Sequence, residues 1–200
     1  MRRHAAAKDR RHGTASVEFA VCLPLMCLVL TGLWEVGRIT QVAEVMWNSA
    51  REAARDASLG QDTLQTVAMN PNAWGTGVPG GLLGYLQSAE PTAFGQGHST
   101  TLIAPVISLP ANTTGWTCWD STANRELFTI TFTDLTQPSV TDPTGMSQLD
   151  VYQIGVQVPY SSIRLSPVAQ VTNMSRLSVT VVWASMVDSP FQITPYLPAE

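Results

Sequence analysis

The segment His12–Trp34, HGTASVEFAVCLPLMCLVLTGLW, constrains this chain most, because every residue from Ala15 to Trp34 except Glu18 is uncharged. At about 1.5 Å per residue, a helix from Thr14 to Trp34 is about 31 Å long and matches the hydrocarbon core of a bilayer. In lipid a single segment must satisfy its own backbone polar groups, and a helix does so. The spacing predicts a membrane-spanning helix over 14–34, preceded by a basic leader over 1–13.

The flanks orient this span. Arg2, Arg3, Lys8, Arg10 and Arg11 precede it against Asp9 alone, whereas six basic and fourteen acidic residues follow from Thr14 onward. Positive flanks stay cytoplasmic, so the leader is expected inside and residues 39–200 outside, with Arg38 weakening the asymmetry slightly. The basic cluster is short, lacks interleaved aromatics and runs directly into apolar sequence, which favours membrane lipid over nucleic acid as its partner. Cys22 and Cys27 lie in the apolar tract and only Cys118, in WTCW, lies beyond it, so no intramolecular disulfide framework is available outside the membrane. Cys118 reads as a buried apolar thiol between Trp116 and Trp119, with pairing between chains as the alternative.

Three readings fit a basic start followed by an apolar tract. A secretory signal peptide needs a shorter apolar stretch and a small-x-small cleavage site, and EVGRITQVAE after Trp34 offers neither. An ordinary uncleaved anchor explains length and flanks but gives no reason for Glu18. A carboxylate inside a span costs about 2.5–3.5 kcal/mol at the bilayer centre, and less near the interface, unless it meets a partner or a cavity. The third reading supplies the partner. Cleavage between Gly13 and Thr14 would free the Thr14 α-amine and make Glu18 the fifth residue of the mature chain, an arrangement similar to the processing signature of type IV pilins. The amine would belong to the same chain, one helical turn away, or to a neighbouring subunit. Against this stands the simpler view that Glu18 complements the dipole of a helix first turn, worth about 0.3–1 kcal/mol.

GTASVEFAVCLPL followed by GLWEVGR resembles the start of TadE-like proteins, the pseudopilins of tight-adherence (Flp-type) pilus systems. The resemblance rests on Gly13, Ala15, Ser16, Val17, Glu18, Phe19, Ala20, Pro24, Glu35, Gly37 and Arg38, and continues weakly through AREAARDA, Ala50–Ala57. It implies a prepilin peptidase cutting after Gly13, an assembly contact at Glu18, and other pilins or pseudopilins and inner-membrane pilus assembly proteins as partners. It also implies a pilin-like fold and a cytoplasmic (inner) membrane location, with incorporation into a pilus left open. As the family's major filament subunits are much shorter, it implies a minor or accessory component. Pro24 removes one backbone donor and is tolerated in membrane helices.

Beyond the span, Val36, Ile39, Ala43, Met46, Ala50, Ala53 and Ala57 recur at steps of three and four, predicting an exported continuation of the helix over 35–59. Glu35 with Arg38 and Glu52 with Arg55 have favourable helical spacing, and Gly60 offers a stop. In the body, 60–200, PNAWGTGVPGG reads as loop and LLGYLQSAE as a short helix. Strands are predicted at 101–109, interrupted by Pro105, and at 127–133, 151–160 and 177–185, where apolar and polar residues alternate. The fold class expected is α+β, with the long helix packed on a small antiparallel sheet in a single-pass membrane protein.

No catalytic spacing appears: there is no HExxH, paired CxxC, G-x-S-x-G or phosphate-binding glycine loop, and His98 is the one histidine after the leader. No enzyme activity, cofactor, metal or small-molecule substrate is expected. Asp134 and Asp142 could bind calcium, but isolated loop acids are more commonly solvated turn residues, and the triplets at Asn112 and Asn173 read as coincidental glycosylation matches. Two rivals remain: an uncleaved membrane-anchored binding module of the cell envelope, and an anchored enzyme.

Overall fold

A computed structural model describes residues 11–70, 80–163 and 175–187. The chain divides between Thr40 and Gln41 into two compact units. The first holds the N-terminal part of helix α1, which spans Arg11–Ser58. All side chains from Ser16 to Trp34 are exposed, and the helix continues through Pro24. Thr31 and Thr40 donate their hydroxyls to the carbonyls of Cys27 (2.7 Å) and Val36 (2.8 Å), the back-bonding by which a threonine hides its polar group inside a helix. Residues 11–13, described as part of α1, are helical, so the end of the leader is helical too.

The second unit contains the rest of α1, α2 (Leu64–Ala68), α3 (Gly81–Ala89), α4 (Tyr160–Ile163) and five strands. These are β1 (Thr100–Ile103), β2 (Thr113–Asp120), β3 (Arg125–Asp134), β4 (Val151–Pro159) and β5 (Arg176–Ala184). They form one antiparallel meander in the order β1-β2-β3-β4-β5. The α+β class is thus as expected, with one strand more than the sequence announced. The strand expected over 101–109 ends at Ile103, two residues before Pro105, because proline cannot continue the ladder. The extra strand, TTGWTCWD, has a glycine in its first half and mixed polarity on both faces, which hid it. The expected strand 151–160 gives up Tyr160 to α4.

Alternation sorts the sheet into two faces. Phe128, Ile130 and Phe132 of β3 and Tyr152, Ile154 and Val156 of β4 are fully buried, and the Phe132 and Tyr152 rings lie 5.7 Å apart. Tyr152 is the link to α1, since its hydroxyl donates to the Ala54 carbonyl, and burial pushes its pKa up. The α1 residues covered are Val42, Met46, Ser49, Ala50, Ala53, Ala54, Ala57 and Ser58. This stripe corrects the expected one at its start: Val36 is 62 % exposed and Ile39 and Ala43 are half-buried. Toward Ser58 the covered residues are small, which lets the helix backbone approach close enough to receive the tyrosine hydroxyl. The helix ends at Ser58, and the chain turns away at Gly60, whose φ of 61° suits a residue without a Cβ.

The opposite face is threonine-rich. Thr113 pairs with Thr133 (2.8 Å between hydroxyls) and Thr117 with Thr129 (2.7 Å) across β2 and β3. A bulge between Cys118 and Trp119 leaves Leu127 unmatched and turns Glu126 onto this face. There Glu126 accepts from Thr129 (2.9 Å) and from both terminal nitrogens of Arg176 (2.5 and 2.8 Å), a bidentate pair that neutralises the part-buried carboxylate. Cys118 is buried, as expected, and burial followed by the nearby Asp120 charge pushes its thiol up to about 12.

Truncating Phe132 to alanine should cost about 3–5 kcal/mol, because the tight core around it cannot fully collapse. Tyr152→Phe, which only removes the donor to Ala54, should cost about 1–2 kcal/mol. Denaturant unfolding of the full chain in micelles, read by near-ultraviolet circular dichroism, checks both; equal losses would mean the hydroxyl matters as much as the ring packing.

Candidate processing and assembly segment

The residues expected to carry function lie along the first 28 positions of α1. Gly13 and Thr14 are in its first turn, so the bond between them has helical backbone and the Thr14 nitrogen is an amide rather than an amine. Val17, Glu18, Phe19 and Ala20 are exposed, Val17 and Phe19 at 64 % and 63 %. Pro24 lies inside the helix without ending it. Leu25, Leu28, Leu33 and Trp34 are likewise exposed, so the helix is apolar all round, as a helix surrounded by lipid or by other helices is. It is the one described helix long and apolar enough to cross a membrane.

Glu18 is the single charge within this surface. Four positions separate it from Thr14, one helical turn and about 6 Å of rise, which places its carboxylate within side-chain reach of the Thr14 nitrogen level. Glu35 and Arg38 close the segment half-buried, and each has an interaction of its own. Gly37 between them has open space where a Cβ would stand, as has Gly32. Packing within the chain demands neither glycine, although each weakens a helix by about 1 kcal/mol relative to alanine.

Farther along, the expected Glu52–Arg55 ion pair is present at 2.7 Å, and the Arg51 guanidinium lies 5.8 Å from the exposed Trp47 ring. Asp134 and Asp142 accept backbone hydrogen bonds in turns and from α2. Asp142 accepts from Thr144 N (3.1 Å) with one oxygen and from Leu64 N (3.1 Å), the first residue of α2, with the other. Asp134 accepts from Thr136 N and Gln137 N and forms a turn. Among the described residues no three His, Cys, Asp or Glu side chains converge.

Sequence reasoning missed one polar cluster. His98 Nδ1 meets Asp120 Oδ2 at 2.7 Å, and Asp120, with no exposed side-chain surface, also accepts from Thr122 N and Ala123 N at 2.9 Å each. Arg125 stands 3.8 Å from the same oxygen and donates to the Ala93 carbonyl (3.0 Å). The cluster ties the Pro91–His98 loop to the β2–β3 turn. Only an antiparallel turn joining Asp120 to Arg125 gathers these residues, and β2 was not legible.

Burial raises the Asp120 pKa, but the hydrogen bond from His98, the Ala123 amide, the His98 charge and the Thr122 amide outweigh it and leave it below 3.8. A depressed carboxylate contributes stability above its unfolded pKa and loses it as pH falls through the folded value. Asp120→Asn should therefore destabilise the chain at pH 7, with the gap from the parent closing below about pH 4. Paired urea titrations across that range decide it; a gap that stays constant with pH would mean that shape and not charge sets the cost.

The comparisons with known proteins bear on this same segment. No curated protein and no solved structure gives a significant match. Residues 13–55 match the family of TadE-like proteins. That match opens at Gly13, takes in Glu18, Pro24 and the Glu35–Arg38 closure, and ends within the covered half of α1. Over residues 13–55, from the glycine to the small-residue stripe, this chain is similar to TadE-like proteins.

Proposed function

We propose that this chain is a pseudopilin-like minor or accessory component of a tight-adherence pilus assembly or secretion system. The observation that carries the proposal is the coincidence of a TadE-like match beginning at Gly13 with an apolar helical stretch, residues 15–34, whose one charge stands five residues after that glycine. In this reading the leader 1–13 is cytoplasmic, α1 crosses the inner membrane once, and the sheet-bearing body lies outside. A prepilin peptidase hydrolyses the Gly13–Thr14 bond and leaves an α-amine on Thr14. That amine offsets the cost of Glu18, within one chain or between subunits, so the charge that would hinder an anchor becomes a contact that aligns helices. Other pilins or pseudopilins and inner-membrane assembly proteins supply the facing surfaces. The exposed Gly32 and Gly37 suit such neighbours, since a helix without Cβ atoms there admits close approach. The body carries no enzymatic step in this proposal.

One observation favours the uncleaved anchor as a second reading. The helix runs unbroken through residues 11–14, and a peptidase must unwind that turn to reach the bond. An uncleaved chain would act as an anchored binding module of the envelope.

Intact mass of the chain expressed with and without a prepilin peptidase separates the two. The expected product begins at Thr14 only when the peptidase is present, and Gly13→Ala should leave most of the chain uncut. Retention of residues 1–13 in both cases would sink the processing claim. Glu18→Ala should still be cut but should lose about tenfold or more of its crosslinks to partner helices, as a charge pair in a dry environment is broken from one side. Unchanged crosslinking would remove the contact while leaving the cleavage.

A further inference from the structure

The threonine-rich face of the sheet holds a groove of about 140 Å³ that the reading above does not use. Across it runs one cross-strand row in which Gly115, Thr131, Gly155 and Thr180 stand side by side on β2, β3, β4 and β5, the last three lining the groove. Two glycines keep the row low, and Thr131 leans over Gly155, donating to its carbonyl at 3.3 Å. Gln153 and Gln157 rise on either side of Gly155, four residues apart on β4 and so about 13 Å from each other. The β2 end is closed by the segment before that strand, where Val106 N is tied to Thr117 Oγ1 (3.2 Å) and Ile107 and Leu109 join the lining. Leu109 lies so near Gly115 that a Cβ there would stand 3.0 Å from its Cδ1.

Antiparallel sheets often leave one face to water, but such faces usually carry Lys and Glu, and they lack a covering segment. Among the described residues no charged side chain lines this groove, and the adjacent Glu126 is neutralised by Arg176. An ionic ligand would find no counter-charge among these described residues. An apolar one would strip water from hydroxyls and carboxamides without replacing their hydrogen bonds, at a cost of about 1–3 kcal/mol for each group. A peptide strand would lie across β3 and β4, whose backbone groups already serve their neighbours. The remaining chemistry is a small neutral molecule dense in donors and acceptors, with an apolar C–H face for Leu109 and Ile107. We infer that this groove binds a neutral sugar unit, its hydroxyls held by Gln153, Gln157 and the Thr131–Thr180 row. The inference rests on the sheet alone and stands apart from cleavage or assembly.

The test uses the full chain in a zwitterionic detergent free of sugar head groups, with threonine and leucine methyls followed by NMR. Glucose and N-acetylglucosamine probe a free sugar; maltotriose and chitotriose probe a chain. Saturable shifts at Thr131, Thr180 and Leu109 are expected with the neutral probes, tighter for the trimers if the site takes a glycan and equal if it takes a single ring. Glucuronate should bind more weakly than glucose. Gln153→Ala and Gln157→Ala, separately and together, alter outward-facing side chains, and the double variant should bind about tenfold more weakly while its core methyl spectrum is unchanged. The inference is overturned if no neutral probe shifts these methyls up to about 50 mM, well above the millimolar range of a weak site. It is equally overturned if the glutamine variants, singly and together, bind as the parent does.

Discussion

What α1 touches along its length governs everything else in this chain. Over Ser16–Trp34 it presents apolar side chains on every side and none is covered. From Val42 onward one stripe of the same helix is fully covered and the other side is charged. A helix keeps its backbone hydrogen bonds in either environment, which is why one element serves in both. What changes is the surroundings its side chains demand, an apolar medium such as lipid or other helices for the first part and this chain's own body for the second.

The sheet meets the second demand. Large side chains stand on β3 and β4, and the helix offers alanines and serines opposite them, so bulk on one side is matched by its absence on the other. Tyr152 shows why the match must be close: its hydroxyl needs an acceptor, and the Ala54 carbonyl is reached only because the helix surface there is nearly bare. The other face is held by a different chemistry, in which threonine hydroxyls pair across strands and a bulge brings Glu126 to Arg176. Polar groups beneath the covering segment are thus satisfied by one another instead of by water.

The charges of the first part follow a single logic. A lone carboxylate among exposed apolar residues is tolerable at the edge of a bilayer and worthwhile only with a partner, and cleavage after Gly13 would create one four residues away. The TadE-like match covers this segment and stops in the covered half of α1. The body's surfaces, the His98–Asp120 cluster and the threonine groove among them, lie beyond the matched residues.

The sequence alone determined the features with a strong local period or a simple charge balance. The uncharged tract, the alternation in LFTITFT and VYQIGVQVP, the α3 helix and the Glu52–Arg55 pair are all legible because each depends on residues a few positions apart. Only the tertiary structure decided what depends on distant partners. β2 is mixed in polarity because Gly115 lies under Leu109 while Cys118 is buried, so neither face alternates cleanly. The helix stripe begins at Val42 and takes in Ser49 and Ser58, since contact with the body and not hydrophobicity selects which turn is covered. α2 draws one of its first amide's partners from Asp142, seventy-eight residues on. The same holds for Asp120, whose low pKa needs a histidine from another loop, and for the row Gly115–Thr131–Gly155–Thr180, which exists only once register aligns four strands. Periodicity is a local property of the chain, whereas register and burial are set by packing free energy summed over the whole sheet.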